Sequence, residues 1–233
     1  MEAAKSAKGR HLLYSFYHSN QIEWTINECS SFVVDNGAFS HWKSGKGEID
    51  MQEYYNFALS LSKHPSFDWC LIPDKIDGTE ADNDRMINEW EQLGNIRSVP
   101  IWHLHETISK LQALADSYNL VAIGSSGDYA TIGTDQWRNR MDEAFASICD
   151  INGIPLVQLH GLRMLDPRIF TYYPFKSCDS CNAAVNSGSL SRFGMYKPPT
   201  VSGRFNVIAD RIESNNSPST YIPHPQTIEL CLQ

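Results

Sequence analysis

The sequence predicts an α/β protein, a single-domain (β/α)8 TIM-like barrel with an irregular C-terminal segment. Short apolar runs alternate with helical patterns at intervals of about 20–35 residues, as expected of parallel βα units. The chain has 233 residues, a length that α/β barrels reach as one domain. A doubly wound open sheet is the alternative, but no Gly-x-Gly-x-x-Gly follows the first strand to support a dinucleotide site.

Short apolar runs define the predicted strands. They are mostly aliphatic or aromatic, as is typical of strands buried on both faces. Six runs qualify: Leu12–Tyr17, Phe32–Asp35, Trp69–Pro73, Val99–Leu104, Leu120–Gly124 and Pro155–His160. A last strand is predicted at Phe205–Ala209, within the less regular segment 182–233.

Helical patterns fill the intervals between these strands. The first begins at Asp50, which forms a capping-box pattern with Glu53. Apolar residues at three- and four-residue spacing predict further helices, at Glu80–Leu93 with Gly94 as its C-cap, at Thr107–Tyr118, from Thr134 onward, and, more weakly, at Leu165–Tyr172.

Charge is unevenly distributed along the chain, whose formal net charge is −8. Residues 151–211 hold seven Lys and Arg against three Asp and Glu, whereas residues 1–150 hold 12 against 22. The acidic balance argues against a nonspecific nucleic-acid coat. A basic stripe on an acidic body could still contact phosphates, and its candidates are Arg163, Arg168, Arg192, Lys197 and Arg204. The alternative is an ordinary solvated surface.

The cellular setting is predicted from what the sequence lacks. No apolar run has the length of a membrane helix, so no membrane partner is expected. The first ten residues are polar and lack an apolar signal core. Six Cys in 233 residues are too sparse for a disulfide scaffold. A cytoplasmic protein is therefore expected.

Polar residues follow six consecutive strand ends, those of the five predicted strands from Phe32–Asp35 to Pro155–His160 and that of the segment Pro174–Cys178. Because a parallel barrel builds its active site at the C-terminal ends of its strands, these residues are the candidate site: Asp35, Asp74, His103 with His105, Gly124 with Ser125, His160 with Gly161, and Asp179. Several carboxylates around one pocket indicate glycosyl chemistry, with one carboxylate as nucleophile and another moving the proton. That pattern leaves hydrolases and transferases equally open.

Several of these motifs resemble those of the tRNA-guanine transglycosylase superfamily. Asp35-Asn36-Gly37-Ala38-Phe39 resembles that family's Asp-Ser-Gly-Gly-Tyr/Phe motif, and Ile72-Pro73-Asp74 with Asp82-Asn83-Asp84-Arg85 is similar to its next strand end and helix. Three more segments match in order and spacing, namely Ala122–Ser125, His160-Gly161 and Phe175–Asn182. The resemblance covers most of the chain and is greatest to the short phage-type enzymes. Those relatives exchange guanine in DNA for a 7-deazaguanine such as 7-cyano-7-deazaguanine (preQ0).

The resemblance implies a role for each matching position. Asp179 would attack C1′ of the nucleoside and form a covalent intermediate, and Asp35 would act as general acid and base. Phe39 would stack on the base and Asp74 would accept hydrogen bonds from it. Gly124 and Ser125, His103 or His105, and His160-Gly161 would complete the base site. The partners would be DNA and a free guanine or 7-deazaguanine base, in the host cytoplasm if the protein is phage-encoded. The acidic chain has few basic residues, so a helper protein that opens the duplex is a further candidate partner.

No cofactor is predicted, although the related tRNA enzymes hold a structural zinc. The ligands here would have to come from Cys178, Cys181, His224 and Cys231. A Cys pair flanking Asp179 would crowd the catalytic carboxylate, and structural zinc sites usually use two tight pairs of ligands.

Three alternative functions remain open: the same exchange on tRNA, a noncatalytic transglycosylase-like subunit, and an unrelated barrel glycoside hydrolase.

Overall fold

The computed structural model describes residues 8–24, 26–45 and 47–223, apart from the side chains of Asn20, Gln21, Glu23, Trp24 and Arg192. It confirms the α/β class, because the described residues form two four-stranded parallel sheets flanked by helices. The chain divides into two compact units. The first holds the described residues up to Val99 with Cys181–Arg211, and the second holds Pro100–Ser180 with the described residues from Ile212.

The eight strands are short, and each pairs in parallel with its neighbour in the sheet. The first unit holds, in sheet order, β1 His11–Ser15, β2 Ser31–Asp35, β3 Phe67–Leu71 and β4 Ser98–Val99. The second holds β5 Ile101–His103, β6 Leu120–Gly124, β7 Gln158–Gly161 and β8 Ser177–Cys178. Because all strands of a sheet run the same way, their C-terminal ends lie along one edge.

Eight α-helices connect or follow the strands in the described chain. They are α1 Ala38–Ser44, α2 Met51–Leu61, α3 Glu80–Leu93, α4 Ile108–Ser117, α5 Asp135–Ile148, α6 Pro167–Phe170, α7 Asn182–Asn186 and α8 Val201–Glu213. Short 3-10 helices occupy Phe16–Trp24, Gly127–Tyr129 and Leu190–Phe193.

Side-chain caps fix the starts of the longer helices. The Asp50 carboxylate accepts a hydrogen bond from the backbone N–H of Glu53 at 2.8 Å, as its sequence pattern predicts. Thr79 and Asp82 form a reciprocal capping box at the start of α3. The hydroxyls of Thr107 and Thr134 accept the backbone N–H groups of Lys110 and Trp137 at the starts of α4 and α5, and both predicted helix starts are confirmed.

Each unit has its own apolar core. In the first, Phe32 and Val34 of β2 are fully buried, and the ring of Tyr54 on α2 packs 5.3 Å from that of Trp90 on α3. In the second, Trp137 and Phe145 of α5 and the sheet residues Val121 and Leu159 are all fully buried. These helix faces repeat at three- and four-residue spacing, so burying them holds each helix against its sheet.

Two strand predictions are wrong. The predicted strand Val99–Leu104 is two strands, β4 and β5, because Pro100 has no N–H to continue a ladder. The predicted strand Phe205–Ala209 lies inside helix α8. Its apolar residues continue as Val201, Phe205, Ile208, Ala209 and Ile212, which is the spacing of a helix face. A window of five residues was too short to show that period.

None of the helices among the described residues combines the length and the apolar character that crossing a bilayer requires.

Candidate functional site

A buried asparagine links two of the predicted site positions in the first unit. Asn36 follows β2, and its Nδ2 donates to Oδ1 of Asp74 at 2.8 Å and to the carbonyl of Ile72 at 2.9 Å. Its Oδ1 accepts the N–H of Ala38 at 2.8 Å. Asn36 is 1% exposed and Asp74 is 8% exposed. The amide therefore gives the buried Asp74 carboxylate, three residues beyond β3, a hydrogen-bond donor from the protein itself.

The turn after β2 requires glycine. Gly37 has φ +79°, and a Cβ there would lie 2.9 Å from the backbone nitrogen of Tyr17. Its N–H points to the carboxylate of Asp35, 3.2 Å from Oδ2. The tight turn thus sets the direction of the Asp35 side chain, which is half-buried.

Phe39 lies on the first turn of α1, immediately after this glycine. Its ring is half-buried, and its centroid lies 5.9 Å from the Trp42 ring. Trp42 is 50% exposed and donates through Nε1 to Oδ2 of Asp77 at 3.3 Å. The pair presents an aromatic surface beside the strand end, which is a feature of sites that stack a planar base.

Asp179 lies directly after β8 in the second unit, and its carboxylate is anchored through one oxygen. The backbone N–H of Arg163 donates to Oδ1 at 2.9 Å, and Nε2 of His160 lies 3.4 Å from the same atom. The Asp179 side chain is 18% exposed and that of His160 is 3% exposed. Backbone bonds to Gly161 and Leu165 hold the Asp179 main chain in place.

Arg163 joins two strand ends. It is the one non-glycine residue of the described chain with positive φ, at 61°. Its guanidinium donates to the carbonyl of Ser125 at 2.9 Å, while its backbone N–H contacts Asp179. The Ser125 hydroxyl in turn accepts a bond from Nε1 of the buried Trp137 at 2.9 Å. Hydrogen bonds therefore connect Ser125, which is predicted to contact the base, both to the buried core and to the segment that holds Asp179.

Two histidines lie at the end of β5, with His103 as its last residue and His105 two residues further on. The rings of His103 and His105 stack with centroids 5.6 Å apart, and Nδ1 of His105 lies 2.6 Å from Oγ of Ser126. His103 is buried and His105 is exposed. The backbone N–H of His103 donates to Oε2 of the buried Glu106 at 2.8 Å. Both predicted histidines therefore lie at the same strand edge as the serine loop.

Small residues allow close approach at two of these strand ends. A Cβ on Gly124 would lie 3.0 Å from Nδ1 of His103. A Cβ on Gly161 would lie 2.9 Å from Sγ of Cys178 and 3.0 Å from Met164. Both positions therefore fit glycine because larger side chains would push neighbouring strand ends apart.

Sequence reasoning missed three residues that shape these strand ends. Asn36 stands out only as part of a motif, Glu106 belongs to no pattern of its own, and Arg140 lies on α5, 34 residues along the chain from Glu106. The Arg140 guanidinium donates to the carbonyls of Leu104 and Glu106 and so clamps the loop after β5. The available signal was one basic residue among several polar residues on an amphipathic helix, which by itself indicates only a solvated position.

The five phosphate candidates lie in different environments. Arg168 is exposed, with its guanidinium 2.6 Å from Asp166, and Lys197 is exposed in a loop. Arg204 is 9% exposed, and its guanidinium donates to the backbone carbonyls of Ser187, Pro198 and Pro199. That environment fits a structural role for Arg204 rather than a contact with a polynucleotide. The side chain of Arg192 lies outside the described residues.

The candidate zinc ligands are not assembled within the described chain. Desolvation raises the pKa of the half-buried Cys178 thiol, which disfavours the thiolate that a metal needs. Cys181 is exposed, and His224 and Cys231 lie outside the described residues. Among the residues that the structure describes, no group of three or more His, Cys, Asp or Glu is placed to hold a metal ion.

The structure thus sorts the predicted site residues into two sets, one in each unit. In the first unit, Asp35 is the last residue of β2, Phe39 follows β2, and Asp74 follows β3. The second unit brings together, along one strand edge, His103, His105, Gly124, Ser125, His160, Gly161 and Asp179. Neither protein-family models nor curated protein sequences match the chain.

Proposed function

We propose that this protein is a base-exchange transglycosylase that replaces guanine in DNA with a 7-deazaguanine such as preQ0, through a covalent aspartyl intermediate. The observation that carries the proposal is the environment of Asp179. Its carboxylate lies at a strand end, is partly accessible, and is held through one oxygen by the Arg163 N–H. A nucleophilic carboxylate needs this combination of fixed orientation and access.

The proposed reaction has two mirrored steps. An oxygen of Asp179 bonds to C1′ as the C1′–N bond to guanine breaks, and the bonding electron pair leaves with the base. Asp35 protonates the departing guanine and later accepts a proton from the incoming base. The incoming nitrogen then displaces Asp179 from C1′, which regenerates the carboxylate and leaves the polynucleotide strand intact.

The other site residues support recognition of a planar base. The exposed Trp42 and half-buried Phe39 supply stacking area, and Asp74 supplies an acceptor that Asn36 holds in place. A base inside a duplex must be flipped out before it can react, and aromatic stacking offsets part of that cost. The (β/α)8 barrel expected from the sequence, and a helper protein that opens the duplex, remain parts of this proposal.

DNA is the proposed polymer because of the resemblance to the short phage-type enzymes. The exposed cations Lys197 and Arg168 suit phosphate contacts, which position a strand without reading its sequence. Both side chains lie at the surface, where counterion release on binding DNA would give a salt-dependent affinity.

A base-exchange assay tests the proposal. The protein is incubated with radiolabelled guanine and, in parallel, with duplex DNA, single-stranded DNA and tRNA. Wild-type protein and an Asp116→Asn control, altered at an exposed carboxylate on α4, are expected to label DNA, whereas Asp179→Ala is expected to label nothing. Label that enters tRNA alone would favour the tRNA alternative. No label in any polymer, with or without a host extract to supply a helper, would overturn the proposal.

A further inference from the structure

Three side chains form a chain of contacts that ends on Asp179. Ser177 and His160 lie opposite each other in the register of β8 and β7, and Oγ of Ser177 lies 2.8 Å from Nδ1 of His160. Nε2, on the far side of the imidazole ring, lies 3.4 Å from Oδ1 of Asp179. The parallel backbone pairing therefore sets the relative positions of the serine and the histidine, and the histidine ring reaches the carboxylate.

The two contacts of His160 together fit one tautomer of the neutral ring. A carboxylate only accepts, so the ring proton would lie on Nε2, the nitrogen that faces Asp179, and the Ser177 hydroxyl would then donate to Nδ1. A buried imidazole in this state offers an N–H to the carboxylate and needs no net charge of its own. This matters because the His160 side chain is only 3% exposed.

The contacts of the Asp179 side chain fall on one of its two oxygens. Oδ1 accepts the backbone N–H of Arg163 at 2.9 Å and faces Nε2 of His160. Within the described chain, no hydrogen bond or ion pair to Oδ2 is observed. The two carboxylate oxygens are therefore not equivalent, because one is anchored and the other is left for a ligand.

We propose that His160 is a positioning residue that, together with the Arg163 N–H, anchors Oδ1 so that Oδ2 of Asp179 makes the bond to C1′. This inference rests on the proposed function and specifies the attacking atom. When Oδ2 bonds to C1′ and the C1′–N bond breaks, Oδ1 becomes the carbonyl oxygen of the glycosyl ester. In the return step the C1′–Oδ2 bond breaks, and the two N–H groups stabilise the charge that reappears on Oδ1.

Two substitutions of His160 separate its two nitrogens. The amide of asparagine reaches the place of Nδ1, so His160→Asn keeps a partner for Ser177 and loses the contact with Asp179. The longer glutamine reaches the place of Nε2, so His160→Gln keeps an N–H for Asp179. His11→Asn is the matched control, since His11 also contacts a serine on the neighbouring parallel strand, with Nδ1 2.8 Å from Oγ of Ser31, but is exposed.

The test measures formation of the covalent protein–DNA adduct in a single turnover, and KM for free guanine in the steady state. His160→Asn is expected to slow adduct formation by on the order of 10²-fold, the loss typical of a misplaced reacting group, with KM for guanine little changed. His160→Gln is expected to recover most of that rate. The His11→Asn control should match wild type, and thermal melts should show each variant folded.

The outcomes distinguish this inference from the proposed function. If the wild type forms the adduct and His160→Asn forms it at the same rate, the positioning role alone is overturned. An equal loss of rate in His160→Asn and His160→Gln also overturns it. The absence of any wild-type adduct overturns the proposed function and this inference with it. Nitrogen-15 NMR of the histidine rings gives a readout independent of activity, because the proposal requires the proton of neutral His160 to lie on Nε2.

Discussion

Asn36 and Asp74 are joined by a buried hydrogen bond of 2.8 Å between Nδ2 of the asparagine and Oδ1 of the aspartate. The bond links the ends of two neighbouring parallel strands, β2 and β3. The same Nδ2 also donates to the carbonyl of Ile72, so one amide holds both the backbone and the side chain of the second strand end. Replacing this amide tests how much of the strand edge depends on it.

Asn36→Ala is expected to lower the free energy of unfolding by about 2 kcal/mol, since a buried carboxylate and a carbonyl each lose a donor. Asn36→Asp should cost more, because it places a second carboxylate against Asp74. Urea denaturation measures both. Asn56→Ala, on the exposed face of α2, is the control and should stay within about 0.5 kcal/mol of wild type. Equal stability of Asn36→Asp and wild type would contradict the role given to this amide.

Gly37→Ala is expected to destabilise the protein by about 3 kcal/mol. A left-handed conformation costs alanine about 1–2 kcal/mol, and its Cβ would lie 2.9 Å from the Tyr17 nitrogen. Gly45→Ala is the matched control, because Gly45 has φ +69° but no atom within 4 Å of its Cβ position. The control should lose only the conformational part, about 1 kcal/mol. If urea melts give the same free energy of unfolding for the two variants, the crowding of the alanine Cβ against Tyr17 does not contribute to stability.

Arg163→Gly is expected to be more stable than Arg163→Ala by about 1 kcal/mol. Both variants lose the guanidinium bond to Ser125, but only glycine relieves the left-handed backbone at φ 61°. Both keep the backbone N–H that contacts Asp179. Paired urea titrations measure the difference, and an alanine variant as stable as the glycine variant would show that this backbone position carries no strain.

Arg204 and Lys197 should respond in opposite ways. Arg204→Ala removes a buried guanidinium from three backbone carbonyls and is expected to cost about 2–4 kcal/mol of stability. Lys197→Ala, at an exposed loop position, should leave stability unchanged. Under the proposed function it should weaken DNA binding and reduce the slope of log affinity against log salt by about one. Thermal melts measure the effect on stability, and DNA binding at several salt concentrations measures the effect on affinity. An Arg204→Ala variant that is as stable as wild type but binds DNA more weakly would contradict the structural role given to Arg204.

The stability of the protein should fall with rising pH in alkaline solution, in part because of Cys70. Desolvation raises the pKa of this buried thiol from its ordinary value near 9 to about 12. Between these values the unfolded chain loses the thiol proton while the folded chain keeps it. Stability is therefore fully present below about pH 9 and declines by about 1 kcal/mol per pH unit up to pH 12.

Urea titrations across this pH range, with Cys70→Ala beside wild type, measure that contribution. The variant should show a shallower decline because it has no buried thiol to keep protonated. Cys181→Ala, which removes an exposed thiol, should decline as steeply as wild type. Equal slopes for wild type and Cys70→Ala would contradict the raised pKa.

The sequence by itself determined those features that depend on neighbours within about one helical turn. Thr107 and Thr134 cap helices where their patterns predict, because a cap needs only a hydroxyl and an N–H three residues on. The strands, and the polar residues that end them, likewise follow from short apolar runs buried on both faces. The Phe205–Ala209 error has the same origin, since a short apolar run does not reveal whether its period is two or 3.6.

Tertiary structure alone decided which strand ends touch. Asn36 and its partner Asp74 are 38 residues apart, and Arg163 and Asp179 are 16 apart. Partners at such distances are selected by strand register and loop path, which the pattern of one segment does not contain. Arg204 shows the same limit of sequence-based prediction. A basic residue in a basic segment is predicted to lie at the surface, and only the folded structure shows that its guanidinium is buried. The sequence determined which polar groups stand at the strand ends, because these follow directly from the order of residues. Only the pairing of strands within each sheet determined which of these groups contact each other.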